Sequence, residues 1–216
     1  NEKETEQLVF SLAGNKTLNT KTKEEIFKRS DGNPFNIEEW FSMFAEGKNR
    51  KVIPETVRSL LAEKVSSLEA GEKAALIAAS VLGRKFELKI VNEILKQAGK
   101  EQATEKTMQS LAEKRYLVNL TGDIYEFRHD ILQETIYRYL NINTRRNAHL
   151  LAGIAIEALY PNRLNDYYYE LARHYTEAKS ESKSLEYLER AGDKAKNNYE
   201  HERAIRYYKK LLQKIT

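Results

Sequence analysis

The chain has 216 residues, 41% of them hydrophobic and 31% charged, with 9 Gly, 3 Pro and no Cys; this fits a helix-rich globular protein and leaves little room for the turns of an all-β fold. The absence of cysteine excludes disulfides and thiolate zinc sites and suits a cytoplasmic compartment, and no apolar run approaches the roughly 20 residues of a membrane span. Although 36 basic and 32 acidic residues leave a net charge of +4 and a pI near 9.0, the two signs are interleaved, which reads as solvated helix faces and not as a basic groove for nucleic acid.

In chain order, residues 1–50 form a first segment. Short helices are expected over residues 5–12 and 22–29, the second with Ile26 and Phe27 as its apolar contacts. In "SDGNPFNIEEWFSMF", Asp31-Gly32 is a turn signal, Asn33 a helix cap, and Pro34 suits a first helical position, where its missing N–H is not needed. Phe35, Ile37, Trp40, Phe41 and Phe44 then face a core, and "AEGKNRK" reads as an exposed linker.

Residues 51–144 form the second segment. A helix is expected from Pro54, with Val57, Leu60, Leu61 and Val65 on one face, followed by a small-residue helix stopped by Gly83. An extended stretch around Phe86, a helix ending at Gly99 and a helix over 104–114 come next. "YLVNLTGDIYEFR" then alternates on both sides of Thr121-Gly122-Asp123, a hairpin signal. Helices followed by a hairpin are the order of a winged-helix domain, with 104–114 in the recognition-helix position.

Residues 145–216 read as four helices of similar length. Leu188, Ala191, Gly192 and Ala195, then Ala204, Tyr208 and Leu211, fit a tetratricopeptide-like pattern in which small residues let paired helices approach and the large aromatic fills the groove towards the next pair. All 13 tyrosines lie beyond Arg115, so aromatic packing is expected to dominate this half. The expected fold class is therefore mainly α, with one small β-hairpin. An array this short is expected to continue beyond Thr216, and Asn1 in place of Met points to a piece of a longer chain.

Motifs for catalysis are absent. No GxxxxGK[ST], GxSxG, HExxH or EF-hand loop occurs, and the chain is not expected to be an enzyme by itself. His149, His174 and His201 have no partner at metal-ligand spacing and read as surface or packing residues. The expected recognition helix offers Lys106, Lys114 and Arg115 against Glu105 and Glu113, and the hairpin tip carries Asp123 and no lysine. That disfavours DNA as a partner and favours a protein-packing role. One pair stands out: His129-Asp130, where an alternating run meets helical spacing. Asp130 with Gln133 matches a capping box, while His129 either satisfies the turn or contacts a ligand.

Taken together, "RSDGNPFNIEEW", "IPETVRSLLAEKVSSLEAGEKAALIAASVLGRKFEL", "YEFRHDILQETIY" and the repeat-like "LARHYTEA…KSLEYLERAGDKA…ERAIRYYKKLL" resemble the C-terminal part of STAND-class signalling ATPases. The nearest are bacterial AAA-type regulators fused to nucleotide cyclase, kinase or transcription-factor modules. The resemblance implies a helical lid segment (1–50), a winged helix (51–144) and TPR-like repeats (145–216) in a signal-transducing protein. It implies that Gly32-Asn33-Pro34 matches a lid motif whose proline lies against adenine, and that His129-Asp130 matches a motif whose histidine approaches the β-phosphate of ADP. ATP or ADP with Mg would then be bound by an upstream ATPase core of the same chain, this segment itself holding no cofactor and no metal. The helical repeats would bind a protein or small effector. A DNA-binding winged-helix regulator and a plain repeat scaffold are the alternatives.

Overall fold

The computed structural model describes residues 20–30, 33–45 and 56–215. They form eleven α-helices, one 3-10 turn and three short strands, so the chain is mainly α with a small antiparallel sheet. It separates into two compact units, Asn1–Ser67 and Leu68–Thr216.

The first unit contains α1 (Thr20–Ser30), α2 (Pro34–Ala45) and α3 (Val57–Ser66). Ile26, Ile37, Trp40, Phe41, Leu60, Leu61 and Val65 are buried in it, following the helical spacing of the sequence. Asn33 starts α2: its carbonyl accepts the Ile37 N–H at 2.9 Å and its side chain accepts the Asn36 N–H at a long 3.5 Å. At α3 the Thr56 hydroxyl accepts the Ser59 N–H at 3.2 Å, satisfying one of the free donors of a helix start. The helix expected over 5–12, the turn at Asp31-Gly32, the linker 46–51 and the start expected at Pro54 lie outside the described residues. So do the side chains of Phe35, Phe44 and Val57.

The second unit is built around α4 (Ala70–Leu82), which packs on helices both before and after the sheet. Its Ala74, Ala75, Ala78 and Ala79 are buried beside Leu76 and Val81; short side chains let several neighbours approach one helix. A reciprocal Glu69–Glu72 box starts it, and Gly83, at φ 125°, ends it where a side chain would be strained. Strand β1 (Lys85–Glu87), α5 (Leu88–Gln97) and α6 (Glu105–Glu113) follow, then β2 (Leu117–Thr121) and β3 (Ile124–Phe127). The sheet order is β1-β3-β2, with Phe86 opposite Tyr125 and Leu117 opposite Phe127. The expected hairpin is present, and the extended stretch around Phe86 joins it as a third strand. Phe86, Tyr125 and Phe127 fill the inner face, Phe86 and Phe127 with ring centroids 5.7 Å apart.

Helix α7 (Asp130–Tyr139) leaves the sheet and leads into α8 (Ile142–Leu159), a 3-10 turn (Leu164–Tyr167), α9 (Tyr168–Glu177), α10 (Glu181–Asn197) and α11 (His201–Ile215). Helix α8 runs unbroken through residues 144–145, where the sequence suggests a segment boundary, and packs on α4 and α5 as well as on α9. Two glycines set the helix pairing. A Cβ on Gly153 would lie 2.7 Å from the Tyr175 ring, and one on Gly192 would lie 2.6 Å from the Tyr208 ring. The close pairing at small residues follows the sequence pattern, but Tyr208 lies against Gly192 within its own helix pair and not in a groove towards the next one; the Gly153–Tyr175 contact repeats this one helix pair earlier.

Candidate functional site

The junction between β3 and α7 holds the pair singled out by sequence. The strand pattern persists to its end: the Phe127 N–H bonds the Arg84 carbonyl at 2.9 Å and the Arg128 N–H bonds the Tyr116 carbonyl at 3.0 Å. His129 is therefore still extended (φ −139°, ψ 143°) and takes the N-cap position, although its ring makes no cap bond. Asp130 is the first helical residue. The capping-box reading of Asp130 with Gln133 is thus corrected, because both side chains bond elsewhere. The Asp130 carboxylate pairs with Arg84 Nη1 at 3.0 Å, and Gln133 Nε2 donates to the Ser80 carbonyl at 2.6 Å. An acidic group in the first turn also suits the positive end of the helix dipole. His129 itself is half-buried.

Gln133 belongs to a larger construction at the C-terminal end of α4. The last four carbonyls of a helix have no partner within it. Here Ala79 receives the Gly83 N–H at 3.4 Å, Ser80 receives Gln133, and Val81 and Leu82 receive Arg173 of α9 at 3.1 and 2.9 Å. A guanidinium at that end is favoured by the dipole as well. Gly83 satisfies the first of these acceptors locally and residues remote in sequence satisfy the other three, so α7 and α9 are pinned to the same helix end.

The hairpin turn and α6, the elements a DNA reader would use, are tied down. The Asp123 carbonyl and carboxylate accept the Leu88 and Lys89 N–H groups at 2.8 and 3.1 Å, so the turn caps α5. Lys114 Nζ lies 2.5 Å from buried Glu72, which also accepts from Ser110 at 2.6 Å. Burial alone would raise the Glu72 carboxyl, but the bonds from Lys114 and Ser110 hold it below the ordinary carboxylate value. On α6 the outward side chains are Glu105, Lys106, Gln109 and Glu113.

No family model, curated protein or solved structure matches this chain. Its functional reading therefore rests on residues and geometry. Asn33 and Pro34, the other residues the resemblance assigns to nucleotide, are exposed at the start of α2 in the first unit; Gly32 lies outside the described residues. His129 and Asp130 belong to the second unit. Among the described residues no three His, Cys, Asp or Glu side chains converge as for a metal ion, and no helix is long and apolar enough to cross a membrane.

Three features of the second unit escape sequence reasoning. His149 and His174, read as scattered, meet in the core with Nδ1 atoms 2.9 Å apart, each 1% exposed. They lie 25 residues apart on different helices, beyond any spacing rule. Glu157 on α8 accepts hydrogen bonds from Tyr175 at 2.6 Å, from Tyr187, and from Lys183 at 2.7 Å. Burial opposes its charge, yet these donors hold the Glu157 carboxyl below its ordinary value. Finally, α9, α10 and α11 enclose a groove of about 340 Å³ lined by Tyr169, Arg173, Thr176, Glu177, Tyr207 and Lys210 among others. Tyr169 and Tyr207 stack there with centroids 5.5 Å apart.

Proposed function

We propose that this chain is the regulatory part of a STAND-type signalling ATPase, with the sheet-bearing region as a winged helix and α8–α11 as TPR-like repeats. It couples the nucleotide state of an ATPase core to the binding of a protein or small effector and catalyses no reaction by itself. One observation carries the reading: His129 is the last extended residue before α7, half-buried at the positive end of that helix, with the Arg84–Asp130 pair beside it. A helix N-terminus favours an anion, and an imidazole N–H donates to a phosphate oxygen, more strongly when protonated. Such a contact, made in only one arrangement of the domains, supplies the differential affinity a switch requires. ATP or ADP with Mg would be held by the core, and the resemblance assigns Pro34, with Gly32 and Asn33 before it in sequence, to the adenine.

The test is His129→Ala in the full-length protein that carries the ATPase core. ADP release is expected to quicken about tenfold, the loss of one charge-assisted hydrogen bond, and basal output to rise. An unchanged ADP off-rate with unchanged output sinks the role. A DNA-binding regulator fits the geometry less well, because Lys114 is bound to Glu72 and the Asp123 turn is folded onto α5. Salt-dependent retardation of duplex DNA, lost on Lys106→Ala, would favour it instead.

A further inference from the structure

The buried histidines lie in a chain of four polar side chains whose proton positions follow from donor chemistry. Arg173 Nη2 lies 3.2 Å from His174 Nε2, His174 Nδ1 lies 2.9 Å from His149 Nδ1, and His149 Nε2 lies 3.0 Å from the Tyr137 hydroxyl. A guanidinium only donates, so His174 Nε2 must offer its lone pair. The single proton of a neutral His174 is then on Nδ1 and points at His149. His149 Nδ1 must in turn be bare, its proton sitting on Nε2 and donated to Tyr137. Each link fixes the next. The chain runs one way, from the α4 carbonyls that hold Arg173, through α9 and α8, to α7.

An extra proton fits nowhere in this arrangement. On His174 Nε2 it would face an Arg173 N–H at 3.2 Å; on His149 Nδ1 it would face the His174 N–H at 2.9 Å. We infer that Arg173, His174, His149 and Tyr137 form a latch that holds α7 and α8 to α9 only while both imidazoles are neutral, so that acid releases the helical hairpins from the helix that follows His129. The surrounding charges support it. Arg145 of α8 lies 4.6 Å over the Tyr137 ring, while Glu170 and Glu177 of α9 and Tyr207 of α11 act on Arg173, and Glu177 also on Tyr137. The charges acting on the imidazoles themselves are cationic: burial first, then Arg173 and Arg145, push His149 down to about 4. Burial and Arg173 push His174 down too. From α4 the latch meets only carbonyls.

This inference needs no nucleotide and no upstream core, so a failure of the His129 test leaves it standing. The experiment uses the whole chain. Imidazole nitrogen NMR at pH 7 is expected to show His174 with its proton on Nδ1 and His149 with its proton on Nε2. The opposite tautomer at His174, or a charged ring at pH 6.5, overturns the latch. Between pH 7 and 5, amide exchange within α9, corrected for intrinsic rates, is expected to quicken roughly 20-fold from His149 alone. Arg173→Met should quicken α9 exchange already at pH 7, because the anchor is lost. It should also shrink the further quickening between pH 7 and 5, because the cation that opposes a proton on His174 Nε2 is gone. The double variant His149→Leu/His174→Leu should hold α9 at pH 5; opening at the same pH as the unmodified chain overturns the proposal, and the tautomer measurement decides it even if neither variant folds.

Discussion

The second unit is held together in two different ways. Around the sheet, between α4 and α7, the core is mostly aliphatic: Leu76, Val81, Ile90, Val91, Ile94, Leu111, Leu132 and Ile136 are buried with the rings of Phe86, Tyr116, Tyr125 and Phe127. From α8 onward the largest buried side chains are Tyr175 and Tyr187, beside Ile156, Leu171 and Leu188, and the imidazoles of His149 and His174 are buried with them; the tyrosines are tied to Glu157 and the histidines to each other. Apolar contacts are non-directional and tolerate small changes of shape. A buried hydroxyl, imidazole or carboxylate has one satisfactory partner geometry and a high cost when that partner goes. The helical hairpins therefore lean more on buried hydrogen bonds, and the sheet region more on volume, although Glu72 is buried and bonded there too.

Glu157→Ala tests this difference most severely. It strips the acceptor from two buried tyrosines, and urea denaturation is expected to show a loss of about 3 kcal/mol. Ile94→Val in the aliphatic core should cost about 1 kcal/mol. Equal losses would break the contrast. Next comes Gly153→Ala, whose new methyl group would press on a Tyr175 ring that is 1% exposed and bonded to Glu157. Overpacking should cost about 2 kcal/mol even after the better helix propensity of alanine is counted. Gly192→Ala meets Tyr208, which is half-buried and bonded only to exposed Asp193, so that ring can swing away. Its expected cost is below about 1 kcal/mol, and thermal unfolding of the two variants ranks them.

What the sequence disclosed follows the same divide. The described helices were legible because apolar spacing and stop signals such as Gly83 and Gly99 are local. So was the hairpin, and so was the small-residue pairing at Gly192, although the place of the Tyr208 ring against that glycine was not. The third strand was half legible: the extended run at Phe86 could be read, but pairing with β3 joins residues about forty positions apart. Of the candidate site, the position of His129 at a strand-to-helix junction was legible, while its neighbour was misread. Asp130 and Gln133 have capping-box spacing, yet Gln133 serves a carbonyl 53 residues away. The histidine pair and the Glu157 cluster were invisible because their members come from different helices and carry no fixed spacing.

Acid should separate the two regions. A histidine whose folded pKa is depressed binds its proton more readily when unfolded, so its stabilising contribution is full above the unfolded value of 6.5 and is lost as pH falls toward the folded value. For His149, folded at about 4, the loss by pH 5 is about 2 kcal/mol. Carboxylates held low, such as Glu72 in the sheet region and Glu87 and Glu157, behave in the same direction but later: their contribution is present above about 4.5 and fades below it. Urea denaturation at pH 7 and pH 5, followed by amide exchange region by region, should find α8 and α9 weakened and the β1-β3-β2 sheet nearly unchanged. Uniform weakening across both regions would remove the distinction.

The smallest effect is expected at Asp130, and it bears on the junction itself. If Asp130 capped α7 through its side chain, Asp130→Ala would cost about 1 kcal/mol and Asp130→Asn almost nothing, since asparagine caps equally well. With Asp130 at the first helical position, its contribution is charge: the Arg84 pair and the helix dipole. The pair is exposed, with Asp130 and Arg84 side chains 73% and 52% accessible, so solvent reduces it to about 0.5 kcal/mol. Asp130→Asn should then lose as much as Asp130→Ala, both losses should shrink in high salt, and neither should add to Arg84→Ala in a double-mutant cycle. Gln133→Ala should cost more than either, about 1 kcal/mol, because it leaves the buried Ser80 carbonyl without its donor. A reversed order, with asparagine silent and alanine costly, would restore the cap and leave His129 one residue further from the helix end.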